Sequence, residues 1–222
     1  GGWAVCNFDT SPGKIDVKQP LGSTYLEEIT LKGMIHELGH GFHLPHIGPL
    51  MGDDLGNTLM GPTHFNYKRT FPAGTQHVYL CEAEAAILSV HPAFNGVADS
   101  RKGLPKVQVD NLRYSTEPAK RQITVKGRLR SPAAARYALV TDQSDASPGE
   151  YWIRTYAGKI QTDGSFEVVL TEPADAGGTL RTWFVFENGA LTGNGKSQGI
   201  ESGIPQVYTF GRRGWEFKTN AQ

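Results

Sequence analysis

Two rhythms of apolar spacing divide the chain. In its first part Leu31, Ile35, Leu38 and Phe42 recur at i, i+4, i+7 and i+11, which draws one apolar stripe along a helix of 3.6 residues per turn. Thr24 with Glu27 makes a capping-box pair ahead of that stripe, so the spacing predicts a helix from Thr24 to Phe42. A second helical stretch is expected from about Tyr79 to His91, where Pro92 ends it. Between the two, "HIGPLMGDDLGNTLMGPTHFNYKRTFPAGT" has no period and reads as an irregular loop. Loops of that length inside compact domains are usually functional or disordered.

From about Leu104 the period shortens to two. The segments "KVQVDNLRYS", "RQITVKGRLRS", "RYALVTDQ", "YWIRTYAGKIQ", "SFEVVL", "TLRTWFVFENG" and "QVYTF" follow one another, several separated by turn signals such as "SPGE", "TDGS" and "DAGG". Short alternating strands without helices predict an all-β sandwich of immunoglobulin or fibronectin type III kind. Large aromatics on such strands, here Trp152 and Trp183, are more often core residues than a ligand-binding face. "NGVADSRKGLPK" has the composition of a linker, which places a domain boundary between residues 103 and 104 and gives two domains, 1–103 and 104–222.

Composition narrows the partners. The 222 residues carry 22 basic and 22 acidic side chains, and the basic pairs are scattered, so no stripe for nucleic acid emerges. No apolar run approaches the roughly 18 residues of a membrane span. The chain begins at Gly1-Gly2-Trp3, which suggests a processed product, secreted or extracellular, with a periplasmic or cell-surface location also consistent. Its two cysteines, Cys6 and Cys81, are too few for a four-cysteine zinc site; a disulfide between them is the leading expectation, with two buried free thiols, or Cys6 as a removable thiolate cap on a metal, as the alternatives.

The chemistry concentrates in "HELGHGFHLPH", residues 36 to 46. His36 and His40 lie four apart and project from one helix face, with Glu37 beside them, an HExxH arrangement in which two imidazoles hold zinc and the carboxylate serves as general base. The third ligand has several candidates. His43 would sit about 10 Å further along the same face if the helix continued, too far to share one ion. His46 is favoured, because Pro45 forces the chain out of the helix and can turn His46 back. A distant acid, Glu82 or Glu84, is the remaining option. One zinc per chain is expected; three imidazoles leave a coordination position for water, which is the mark of a catalytic rather than a structural site. Calcium has only the weak support of Asp53-Asp54 in a glycine-rich turn.

His36-Glu37-Leu38-Gly39-His40 followed by His46 resembles the extended zinc motif HExxHxxGxxH of the metzincin metallopeptidases. The resemblance implies an α+β zincin-like catalytic domain and an endopeptidase in which a zinc-activated water, with Glu37 as its general base, attacks the peptide bond. It also implies a methionine-bearing turn beneath the metal, for which "NTLMGP" offers Met60 and, less well placed, Met51. The segment after that turn would wall the substrate pocket, with His64 or Tyr67 as an oxyanion donor. Two departures stand out. His43 occupies the motif's glycine position, where positive φ is needed, and only 35 residues precede His36, so either the sheet is minimal or an upstream segment or propeptide lies outside this chain. The rival reading is a non-catalytic adhesion or binding module with a structural zinc. A protein or peptide substrate is expected on the first reading.

Overall fold

The computed structural model describes residues 31–50, 56–62, 77–96 and 103–218. The first helix, α1 (Leu31–Gly41), is followed by strand β1 (Gly56–Thr58), strand β2 (His77–Tyr79) and helix α2 (Glu82–Val90). β1 and β2 pair in parallel, with Thr58 opposite Tyr79. That pairing is why α2 starts later than its apolar spacing suggests: Tyr79 belongs to a strand and Cys81 is the N-cap. The Thr24–Glu27 capping pair lies outside the described residues.

Each of the seven alternating segments forms a strand. They are β3 (Gln108–Glu117), β4 (Gln122–Arg130), β5 (Ala135–Ser144), β6 (Arg154–Lys159), β7 (Ser165–Thr171), β8 (Gly178–Phe186) and β10 (Ile204–Gly211), joined by the short β9 (Leu191–Thr192) and β11 (Gly214–Phe217). One sheet runs β3-β4-β7; the other runs β11-β10-β8-β5-β6, with β9 on β8. All pairs within these two sheets are antiparallel. Alternation puts Phe166, Val168 and Leu170 of β7 inward and Glu167 outward. They meet Ile123 and Val125 of β4 and, across the interface, Val140, Leu180, Phe184, Tyr208 and Trp215 from the larger sheet.

The larger sheet is buried on its other face too. Leu139, Trp183, Val185 and Leu191 pack against Ala83, Ala86, Ile87 and Val90 of α2, and Leu44, Ile47 and Met60 join the same cluster. Trp183 is fully buried there and donates its indole N–H to Thr141 Oγ1 at 2.9 Å. Each Leu, Ile or Val side chain so covered contributes roughly 1.5–3 kcal/mol relative to exposure. One apolar cluster therefore crosses the 103/104 boundary, and α2 is anchored by strands that follow it in sequence.

Two expectations are corrected. The α+β zincin-like catalytic domain is not what the described residues form: they are dominated by strand, with α1 and α2 as their two α-helices, and α2 covers the outer face of the sandwich sheet rather than a sheet of its own half. The Cys6–Cys81 bridge is also not formed. Cys81 is a free, buried thiol enclosed in the α2 cluster, and burial raises its pKa, with the neighbouring Glu84 charge acting in the same sense. Cys6 lies outside the described residues. The free thiol removes one support for export.

Candidate metal centre

The site begins with the way α1 ends. His43 N–H donates to the His40 carbonyl at 2.9 Å and Leu44 N–H to the Gly39 carbonyl at 3.0 Å. These bonds make a Schellman closure with His43 at C′. The closure needs a left-handed residue there, and His43 takes φ 68°. Leu44 is buried as the apolar anchor of the turn, and Pro45 prevents the helix from resuming. The chain reverses, and His46 returns to the face carrying His36 and His40.

The three rings converge. Centroids are 4.9 Å apart for His36–His40, 5.3 Å for His36–His46 and 4.8 Å for His40–His46. One nitrogen from each lies within 4.8 Å of the others. An ion with bonds of about 2.1 Å in tetrahedral geometry needs roughly 3.4 Å between its nitrogen ligands, so modest ring rotations would close the set. His43 is not part of it; its ring faces His91 at 5.4 Å. Glu82 is exposed on α2, and Glu84 is buried elsewhere, as described below.

Hydrogen bonds set the tautomers. His36 Nδ1 lies 3.1 Å from the Leu59 carbonyl and His40 Nδ1 lies 2.9 Å from the Leu44 carbonyl. A carbonyl only accepts, so each Nδ1 carries the proton and the lone pair sits on Nε2. His46 Nδ1 lies 3.3 Å from Glu150 Oε2, and the carboxylate acts on it in the same way. Burial lowers the His46 pKa, partly opposed by Glu150 and Glu37 and reinforced by His40. The net lowering favours the neutral imidazole, the form that ligates a metal. Glu37 follows His36 on α1, is half-buried, and is the smallest of these influences on His46.

Beneath the histidines lies Met60, fully buried in the turn after β1. Its sulfur occupies the space that a side chain at Gly39 would need. Glu84, at the start of α2, ties this turn down: Oε1 accepts from Met60 N–H at 2.9 Å and Oε2 from Cys81 N–H at 2.8 Å. Burial pushes the Glu84 pKa up to about 7 against the pull of those two donors. The turn also meets the chain after His46, where Thr58 Oγ1 donates to the Ile47 carbonyl.

The sandwich supplies a wall that the sequence reading missed. A 3-10 turn, Glu150–Trp152, precedes β6. The Tyr151 ring lies 4.2 Å from that of His46 and 5.8 Å from that of His36. Gly48 N–H donates to the Ile153 carbonyl at 2.6 Å, and an added Cβ at Gly48 would stand 2.7 Å from Trp152 Cα. Only glycine permits that approach. Trp152 itself is 40% exposed beside the site. The local pattern "GEYW" signals a turn and nothing of the histidines it meets. Met51, Asp53, Asp54, His64 and Tyr67 lie outside the described residues, and nothing tests their expected roles.

No protein-family model matches the chain, and no curated protein sequence matches it. Solved structures do. Wild-type OgpA from Akkermansia muciniphila aligns with a TM-score of 0.69 at 22% identity, covering 90% of this chain and 55% of that one. A second crystal form of the wild-type protein gives a TM-score of 0.67 at 24% identity with the same coverage. Catalytically inactive OgpA in complex with an O-glycopeptide (glycodrosocin) substrate gives 0.67 at 21% identity, again covering 90% and 55%. The fold is shared, and this chain spans about half the length of those neighbours.

Proposed function

We propose that the chain carries the metal centre of a zinc-dependent endopeptidase, with His36, His40 and His46 as ligands and Glu37 as general base. The observation that carries this reading is the convergence of three imidazoles, each with its Nδ1 at an oxygen acceptor so that Nε2 can face an ion, with a carboxylate adjacent in sequence. Three nitrogen ligands with a position left over are the donor set of catalytic zinc. Zinc held there would supply Lewis acidity, bringing a water's pKa near 7 and polarising the scissile carbonyl.

The chain's own residues do the rest. Glu37 takes the proton of the attacking water and delivers it to the leaving amine. Gly39 and Met60 set the depth of α1 above its supporting turn, so His36 and His40 keep their spacing. Tyr151 closes one side of the site. The O-glycopeptide named as OgpA's substrate supports glycosylated peptides as the class to try first. An exported location and the division at 103/104 stay part of the proposal.

The test replaces Glu37 with Gln, which keeps size and helix propensity but removes basicity. Zinc content should be unchanged by elemental analysis. Cleavage of O-glycosylated and unglycosylated peptide libraries, read by mass spectrometry, should fall by about 10²- to 10⁴-fold and vanish with a chelator. Cleavage surviving in Glu37→Gln would remove its role; a zinc-loaded parent that cuts neither library would favour the non-catalytic binding module.

A further inference from the structure

The turn Glu150–Trp152 belongs to the β-sandwich, yet it reaches the histidine cluster at two points: Glu150 Oε2 stands 3.3 Å from His46 Nδ1 and the Tyr151 ring packs 4.2 Å from the His46 ring. The contact is anchored rather than incidental. Gly48, two residues after His46, bonds to Ile153 and lets the backbones touch, so the turn is pinned directly against the segment that carries the third imidazole. His36 and His40 have backbone carbonyls on Nδ1, supplied by Leu59 and Leu44. The Nδ1 contact of His46 is a side chain, and that side chain comes from the other part of the molecule.

We infer that Glu150 is a positioning residue of the metal centre, its carboxylate accepting the Nδ1 proton of His46 so that Nε2 faces the ion, with Tyr151 bracing the ring. This rests on the reading of His46 as a metal ligand. A carboxylate on the far nitrogen of a ligating imidazole fixes its tautomer and orientation and raises its basicity. Glu150 is thereby unsuited to be a fourth ligand on the same ion, since it lies on the Nδ1 edge of a ring that would offer Nε2. The sandwich becomes a working part of the site rather than a stabilising appendage, and residues 1–103 alone would hold two oriented imidazoles and one loose one.

The test compares the full-length parent with Glu150→Ala and Glu150→Gln. Zinc affinity is measured by competition with a chromophoric chelator, and the Co²⁺-substituted proteins are compared by their visible d–d absorption. Glu150→Ala should bind zinc about 10- to 100-fold more weakly, the usual cost of losing such a partner, with an altered Co²⁺ spectrum. Glu150→Gln, whose amide oxygen still accepts from Nδ1, should stay within about threefold of the parent and keep the parental spectrum. Melting in excess chelator should be the same for all three, because the Glu150 side chain is 65% exposed. Parental zinc affinity and spectrum in Glu150→Ala would overturn the inference and leave the peptidase reading standing. Equal weakening in Glu150→Gln would overturn it in favour of a plain charge effect. A parent that binds neither zinc nor Co²⁺ would overturn both readings together.

Discussion

Glu84 offers a measurement of how firmly the supporting turn is held. It is fully buried, its two oxygens accept from the backbone of Met60 and Cys81, and burial raises its pKa from 4.5 to about 7. In the unfolded chain it ionises near the ordinary value. Between those two pH values the folded protein therefore binds more protons than the unfolded one, so stability from this group falls as pH rises through the window and levels off above about pH 7. A gap of about 2.5 pH units, at about 1.4 kcal/mol per unit, amounts to about 3 kcal/mol. Glu84→Gln has no such term. It does lose one acceptor, leaving either the Met60 or the Cys81 N–H unpaired at a cost of roughly 1–3 kcal/mol. The variant should therefore be less stable than the parent at pH 4.5 and match or exceed it at pH 8. Urea unfolding of both proteins at the two pH values, in chelator, isolates the effect, because the histidine titrations cancel in the difference. A parent-minus-variant difference that stays constant from pH 4.5 to pH 8 would refute the reasoning and mean that the two N–H donors hold Glu84 ionised.

Other outcomes follow from the same geometry. His46→Ala should lose zinc far more completely than His43→Ala, measured by elemental analysis after dialysis, because the His43 ring faces His91 and not the cluster; equal losses would discredit His46 as third ligand. Gly39→Ala should destabilise by about 1–3 kcal/mol in denaturant unfolding, since the new methyl meets the Met60 sulfur in a filled core; an unchanged midpoint would mean the turn can slide away freely.

What could be read from the sequence was local. The period of α1 aligns His36 with His40, and Pro45 with the motif's missing glycine told where the chain must turn; His43 at φ 68° is the physical answer to that departure. Period-two alternation located the strands of both sheets. Relations across sequence were not legible in this way. Nothing in "GEYW" points to His46, and nothing in the spacing of two cysteines says whether they meet. The docking of α2 did leave a trace: Trp183-Phe184-Val185-Phe186 on β8 is apolar without interruption, the sign of a strand covered on both faces.

That shared core bears on the choice between catalyst and binding module. A zinc whose purpose is to hold a fold together is expected where the protein lacks apolar surface to do so. Here α2 already has an anchor on Leu139, Trp183, Val185 and Leu191, and the turn under the histidines is fixed to it through Glu84. The Nδ1 partners of all three imidazoles are likewise in place before any ion arrives. Among the described residues the metal-holding group has three members, His36, His40 and His46, while the nearest carboxylate from the sandwich is committed to the outer edge of one of them. Ordered ligands and a support that does not depend on the metal favour the proposed endopeptidase over a structural clip, whose metal would have to supply that order itself.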